Sequence, residues 1–149
     1  MCTINSFDGY FDFMSNFYSS PIEINGIKYP TVEHYFQAMK TTDMNDRLLI
    51  AQADTPGKAK RMGRGVTLRA DWEDIKNEVM YTGLKAKFKD PELRERLLST
   101  GTATLIEGTT WHDKCWGVCY CNKCQGQGEN RLGRLLMKLR DEIKNEKGA

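Results

Sequence analysis

The chain has 149 residues, a hydrophobic fraction of 40%, a charged fraction of 28% and a formal net charge of +2, which suits a single globular domain over residues 1–149 with a core of its own. So weak a charge does not by itself argue for nucleic acid, and any anion site must be local. No run approaches the roughly 18 apolar residues of a membrane span, and Met1-Cys2-Thr3-Ile4-Asn5-Ser6 has neither the basic start nor the apolar stretch of a signal peptide, so the expected setting is cytoplasmic, or nuclear in a eukaryote.

The chain opens on an irregular aromatic stretch with Phe7, Tyr10, Phe11, Phe13, Phe17 and Tyr18. Ile22 and Ile24 alternate before Asn25-Gly26, and Ile27 and Tyr29 alternate after it. Asn-Gly supplies the two positive-φ residues of a type I′ turn, so this is a β-hairpin. Thr31 is the expected N-cap of a helix running to about residue 41. A second helix is expected over 45–53, and Thr55-Pro56 opens a short basic one ending near Gly63. Asp71 is the expected cap of a long helix to about Lys89, with Trp72, Ile75, Val79 and Ala86 on its apolar face. Asp90-Pro91-Glu92 restarts a helix through Leu98. Residues 104–106 read as a short strand. The last helix begins near Asn130 and carries Leu132, Leu135, Leu136, Leu139 and Ile143 on one side. Helices dominate with a little sheet, so the class is α+β.

Four segments carry polar groups suited to chemistry. Glu33, Gln37 and Lys40 fall at i, i+4 and i+7, on one face of a helix. A carboxylate, an amide and an amine in one partly buried stripe suit acid/base work; the plainer reading is a first-turn Glu complementing the helix dipole. Lys58-Ala-Lys60-Arg61-Met62-Gly63-Arg64, with Arg69 beyond, clusters cations that can clamp a phosphate or form a solvated face. Trp111-His112-Asp113-Lys114-Cys115-Trp116 mixes an acid with rings that stack on bases; equally, the rings belong to the core and Asp113 to a turn. Gly126-Gln127-Gly128-Glu129-Asn130 precedes a helix, where backbone N–H groups approach phosphates; otherwise Asn130 is an N-cap after a flexible turn.

The Cys-rich loop over 115–128 is the one compositional anomaly. Five cysteines without an export signal read as reduced thiols. Cys115, Cys119, Cys121 and Cys124, with His112 nearby, are a candidate structural zinc site. Only Cys121 and Cys124 have the separation of a zinc knuckle, and nothing marks an open catalytic coordination position.

Together these segments resemble the NADAR family of YbiA-like N-glycosidases over nearly the whole chain. The resemblance rests on Ser15-Asn16-Phe17, Tyr29-Pro30-Thr31-Val32-Glu33-His34-Tyr35-Phe36-Gln37-Ala38-Met39-Lys40 and Arg61-Met62-Gly63-Arg64. Trp72, Ala86-Lys87-Phe88, Leu105-Ile106-Glu107, Asp113-Lys114-Cys115-Trp116-Gly117 and the run from Gly126 to Met137 extend it. It implies a YbiA-like α+β fold and cleavage of C1 of a 5-phosphorylated ribose from an exocyclic amine. The implied substrate is ADP-ribose on guanine in nucleic acid, or else a ribosylaminopyrimidine phosphate, a small-molecule intermediate of riboflavin synthesis. The implied catalytic residues are Glu33, Lys40 and Asp113, with Asn16, His34, Gln37, Arg61, Arg64, Trp72, Trp116, Gly128 and Asn130 binding substrate. No cofactor is required, and zinc is structural where present. The Cys115–Cys124 insert departs from plainer family members beside Asp113. A non-catalytic ADP-ribose or nucleic-acid binding module is the rival of another class.

Overall fold

The computed structural model describes residues 2–148 of the chain. In chain order the described elements are β1 (Thr3–Ile4), a 3-10 turn (Gly9–Met14), β2 (Ile22–Ile24), β3 (Ile27–Tyr29), α1 (Val32–Ala38), α2 (Met44–Ala51), α3 (Pro56–Gly63), α4 (Trp72–Lys87), α5 (Pro91–Ser99), β4 (Thr104–Leu105), β5 (Gly108–Thr109), β6 (Val118–Cys119) and α6 (Arg131–Gly148). The fold is α+β, helices with short two-stranded pairings. Among the described residues no helix is long and apolar enough to cross a membrane. The chain divides into two compact units, Met1–Ser15 with Pro91–Ala149, and Asn16–Asp90.

The unit Asn16–Asp90 is built from local signals. Asn25 and Gly26 both take positive φ, 53° and 81°, and close the antiparallel β2–β3 hairpin in the register Ile22↔Tyr29 and Ile24↔Ile27. Thr31, Asp43 and Thr55 each accept a backbone N–H with the side chain and so cap α1, α2 and α3. Pro56 occupies the first turn of α3, where its missing N–H costs nothing. Helix α1 packs against α2, α3 and α4, so every residue from Val32 to Ala38 is buried. Gly83 in α4 lets that helix approach Val32 and Tyr35 closely, for a Cβ there would lie 3.1 Å from the Tyr35 ring.

Asp71 departs from expectation. It precedes α4 but caps nothing with its side chain. Its carboxylate instead takes a two-pronged bond from Arg69, at 2.6 Å and 3.2 Å. The Arg69 guanidinium, donating that bond, holds the Asp71 carboxyl below its usual range. Arg69 is thereby committed, and its backbone N–H also holds the Lys40 carbonyl at 2.8 Å. It anchors the end of the α1 segment rather than extending the basic cluster.

The other unit holds two parallel pairings the sequence reading did not contain. β1 pairs with β4, Thr3↔Thr104 and Ile4↔Leu105, and β5 pairs with β6, Gly108↔Val118 and Thr109↔Cys119. Helix α6 lies against β4 and α5, burying Leu132, Leu136, Leu139 and Ile143. Leu105, the second residue of β4, is fully buried.

Candidate active site

Within Asn16–Asp90 the Glu33–Gln37 pair forms on α1 as its spacing requires, whereas α1 ends at Ala38 rather than near residue 41, so Lys40 lies beyond the helix. Glu33 is buried, and its Oε1 accepts a hydrogen bond from Gln37 Nε2 at 2.7 Å, the i, i+4 contact. The Glu33 backbone N–H, one of the orphan donors of a helix start, reaches the Asn16 carbonyl at 3.1 Å. Asn16 is itself buried, and its amide donates weakly to the Met80 sulfur at 3.4 Å. Two buried amide oxygens, Asn16 Oδ1 and Gln37 Oε1, have no hydrogen-bond partner among the described residues. Buried acceptors left open are costly and mark a place where a donor is received.

Lys40 follows α1 and is half-buried. Its Nζ stands over the Phe36 ring at 5.7 Å. Burial lowers its amine below the ordinary lysine value; Glu33 opposes that, and the charges of Lys60 and Arg64 add to it. Lys60 was not singled out by sequence, where it was one cation in a basic run. Gly63 also takes another role than a helix-end glycine. A Cβ there would run into the Gln37 amide oxygen, so glycine lets α3 close onto α1 beside the glutamine that holds Glu33. Arg61 and Arg64 are both exposed and remain available to an anion.

His34 and Trp72, both expected to touch substrate, are buried and packed against the protein. His34 is 1% exposed. Its Nε2 faces the Ala53 carbonyl at 3.0 Å and its Nδ1 faces Thr31 Oγ1 at 2.8 Å. A carbonyl only accepts, so Nε2 carries the proton and Nδ1 accepts from the threonine hydroxyl. Both ring nitrogens are spent, and burial lowers the imidazole below its ordinary value against the Ala53 bond. Trp72 is buried with its ring 5.0 Å from that of Phe36. It supports the ring over which Lys40 lies.

In the other unit Asp113 is half-buried, and its Oδ1 accepts the backbone N–H groups of Cys115 and Trp116 at 3.1 Å and 2.9 Å. This is the turn arrangement of an aspartate, and it fixes where the carboxylate points. Trp116 is half-buried, whereas Trp111 is 59% exposed. Asn130 and Gly128 both make close contacts within the protein. Asn130 takes the Glu107 N–H at 3.0 Å and gives its amide to the Leu105 carbonyl at 2.9 Å. A Cβ on Gly128 would collide with the Gly117 carbonyl, so glycine there serves close backbone packing, and its exposed N-terminal neighbours are Gly126 and Gln127.

The cysteine-rich loop folds differently from the expected four-cysteine set. His112, Cys119, Cys121 and Cys124 bring their ligand atoms within 4.8 Å of one another, a group that can hold a metal ion. Cys115 stands outside it, because its backbone is committed to the Asp113 turn and to the Arg131 N–H at 3.2 Å. Sequence order concealed the substitution: His112 precedes the cysteines by a turn in which it takes φ 69°, and that turn points it back at them.

The NADAR domain matches residues 6–144. The chain is 46% identical over 143 residues to the N-glycosidase YbiA of Escherichia coli (strain K12), covering 94% of this chain and 86% of that one. It is 39% identical over 151 residues to the chloroplastic riboflavin biosynthesis protein PYRR of Zea mays, covering 89% of this chain and 23% of that one. The NMR structure of the E. coli protein YbiA superposes with a TM-score of 0.84 at 42% identity, covering 98% of this chain and 87% of that chain.

Proposed function

This chain belongs to the NADAR family, and from that premise we propose that it is an N-glycosidase hydrolysing the bond between C1 of a 5-phosphorylated ribose and an exocyclic amine. The observation that carries the reading is the α1 stripe: a buried Glu33 held by Gln37, with an amine at Lys40 whose proton affinity is lowered by burial and by Lys60 and Arg64. Leaving of the amine builds positive charge at C1, which the Glu33 carboxylate stabilises. A ribosyl amine is an aminal and opens to an imine. Lys40, when neutral, adds to C1 of that imine to give a geminal diamine, which collapses by breaking the C1–amine bond as a proton passes from the Lys40 nitrogen to the departing amine, leaving a lysine imine. Water then hydrolyses the lysine imine to the free sugar and restores Lys40. Asn16 Oδ1 and Gln37 Oε1 accept from sugar hydroxyls, and Arg61 and Arg64 hold phosphate.

The substrate we favour is ADP-ribose on guanine in nucleic acid, because the exposed cations of α3 suit a diphosphate. A second reading, a ribosylaminopyrimidine phosphate, is favoured by the riboflavin biosynthesis names of relatives from maize and Vibrio vulnificus. No cofactor enters either reaction, and a metal on the loop cysteines is structural. The test is turnover by the purified protein on an oligonucleotide carrying ADP-ribosyl guanine and, in parallel, on the ribosylaminopyrimidine phosphate, each beside Glu33→Gln. Release of ADP-ribose by the wild type alone supports the first reading, and turnover confined to the small molecule supports the second. Binding without turnover of either would make the protein a recognition module.

A further inference from the structure

We propose that His112, Cys119, Cys121 and Cys124 form a tetrahedral zinc site that braces the loop carrying Asp113. The inference is independent of the glycosidase reading, since it rests on the loop alone. One imidazole nitrogen and three sulfurs lie within 4.8 Å of one another. Four tetrahedral ligands at zinc–sulfur and zinc–nitrogen bond lengths of about 2.3 Å and 2.0 Å stand roughly 3.3–3.8 Å apart, and His112 Nδ1 already lies 3.3 Å from Cys124 Sγ and 3.5 Å from Cys121 Sγ. One nitrogen with three thiolates is a closed structural set, with no position left for water or substrate.

The surrounding backbone is arranged as at a metal thiolate. The His112 N–H donates to Cys119 Sγ at 3.3 Å, and the Cys124 N–H donates to Cys121 Sγ at 3.4 Å. The second is the i, i+3 bond of a CxxC turn. Gln125 and Gly126 then take positive φ, 51° and 81°, which turns the chain back so that the Gly126 N–H meets the Cys119 carbonyl at 2.7 Å. The site thus ties residue 112 to residues 119–126, and Asp113 is the next residue after its histidine ligand. Zinc displaces the thiol protons as it binds, so the metal is lost as pH falls. Zinc, rather than a catalytic iron or copper, fits a sulfur-rich closed set.

The test is metal analysis of the full chain purified under reducing conditions, with cobalt substituted into the same protein. The expected result is about one zinc per chain, and cobalt absorption with thiolate charge transfer and the strong visible bands of a tetrahedral ion. Cys115→Ser should keep both the metal and the spectrum, whereas Cys124→Ser should lose them. Should Cys124→Ser not fold, cobalt titration of wild-type protein stripped by a chelator decides the matter. A wild type free of zinc and without a thiolate band, a disulfide among the loop cysteines in reducing buffer, or loss of metal on Cys115→Ser with retention on Cys124→Ser would each overturn the assignment.

Discussion

Lys40 lies between opposing influences. Burial and two cations favour its neutral amine, and Glu33 favours the charged one. If neutral Lys40 attacks C1, turnover rises with pH as the ammonium loses its proton. Lys60→Met removes one charge that lowers this pKa, so the rising limb of the kcat–pH profile should move to higher pH; a limb that stays where it was would remove Lys40 from the chemistry. Lys40→Arg should abolish turnover together with any borohydride-trapped substrate adduct. His34 supplies a separate pH effect, on stability. Its folded pKa lies below its unfolded one, so the unfolded state binds the extra proton. Its contribution is fully present above about pH 6.5, the unfolded value, and is lost as pH falls towards the folded value. Urea unfolding between pH 7.5 and 5, conditions chosen to bracket about 6.5, should show stability declining in the wild type and declining less steeply in His34→Gln, even though that variant starts lower. These residues also show how far a residue type reveals its role. Glu33 and Gln37 were legible because helical spacing alone puts them on one face, whereas Lys40 lies beyond the end of α1, where that spacing no longer applies. The protein partners of His34, Trp72 and Asn130 were not legible, because a polar or aromatic side chain carries no mark in sequence of what it faces.

Elements in Asn16–Asp90 were largely legible, because their signals are local. The Asn25-Gly26 turn and the Thr31 and Thr55 caps act within a few residues, and the hairpin, α1 and α3 lie where those signals put them. How α3 meets α1 was not legible, since the contact joins Gly63 to Gln37 and no local pattern encodes it. Gly63→Ala tests that contact. Alanine is the better helix former, so propensity alone predicts a gain. The Cβ would displace the Gln37 amide, however, and overpacking of this kind costs about 1–3 kcal/mol. A net fall in melting temperature is expected, with a larger loss of kcat than simple destabilisation gives, because Gln37 holds Glu33. An unchanged or raised melting temperature would mean that α3 shifts freely. The Cys loop was half legible: its metal-ligand composition was plain, but the fold-back that exchanges Cys115 for His112 depends on a positive-φ turn and on Cys115 being committed to Asp113.

At the scale of the whole chain, one compact unit is made from the two ends of the sequence, and the other from the continuous stretch of residues 16–90. Its pairings are the part the sequence hid most completely. β1 has two residues, too few for any periodicity, and its partner β4 lies about a hundred positions later. Closing so long a loop is entropically expensive, so β4 must be held by more than β1. It is: the Ile106 N–H meets the Ile4 carbonyl at 2.8 Å on one side, and Asn130, with positive φ at the start of α6, bonds both the Glu107 N–H and the Leu105 carbonyl on the other. Gly133 completes the join, for a Cβ there would strike the Leu105 carbonyl. Asn130→Ala therefore leaves a buried carbonyl without its donor and an N–H without its acceptor, at a cost of about 1–3 kcal/mol for each stranded group. Asn130→Asp separates the two bonds, since a carboxylate keeps the acceptor for Glu107 and loses the donor to Leu105. Chemical denaturation should rank the wild type above Asn130→Asp and Asn130→Ala, with Gly133→Ala also reduced. If Asn130→Ala unfolds at the wild-type midpoint, β4 is held by β1 and apolar burial alone, and the asparagine is free to serve substrate as its place in the family motif first implied.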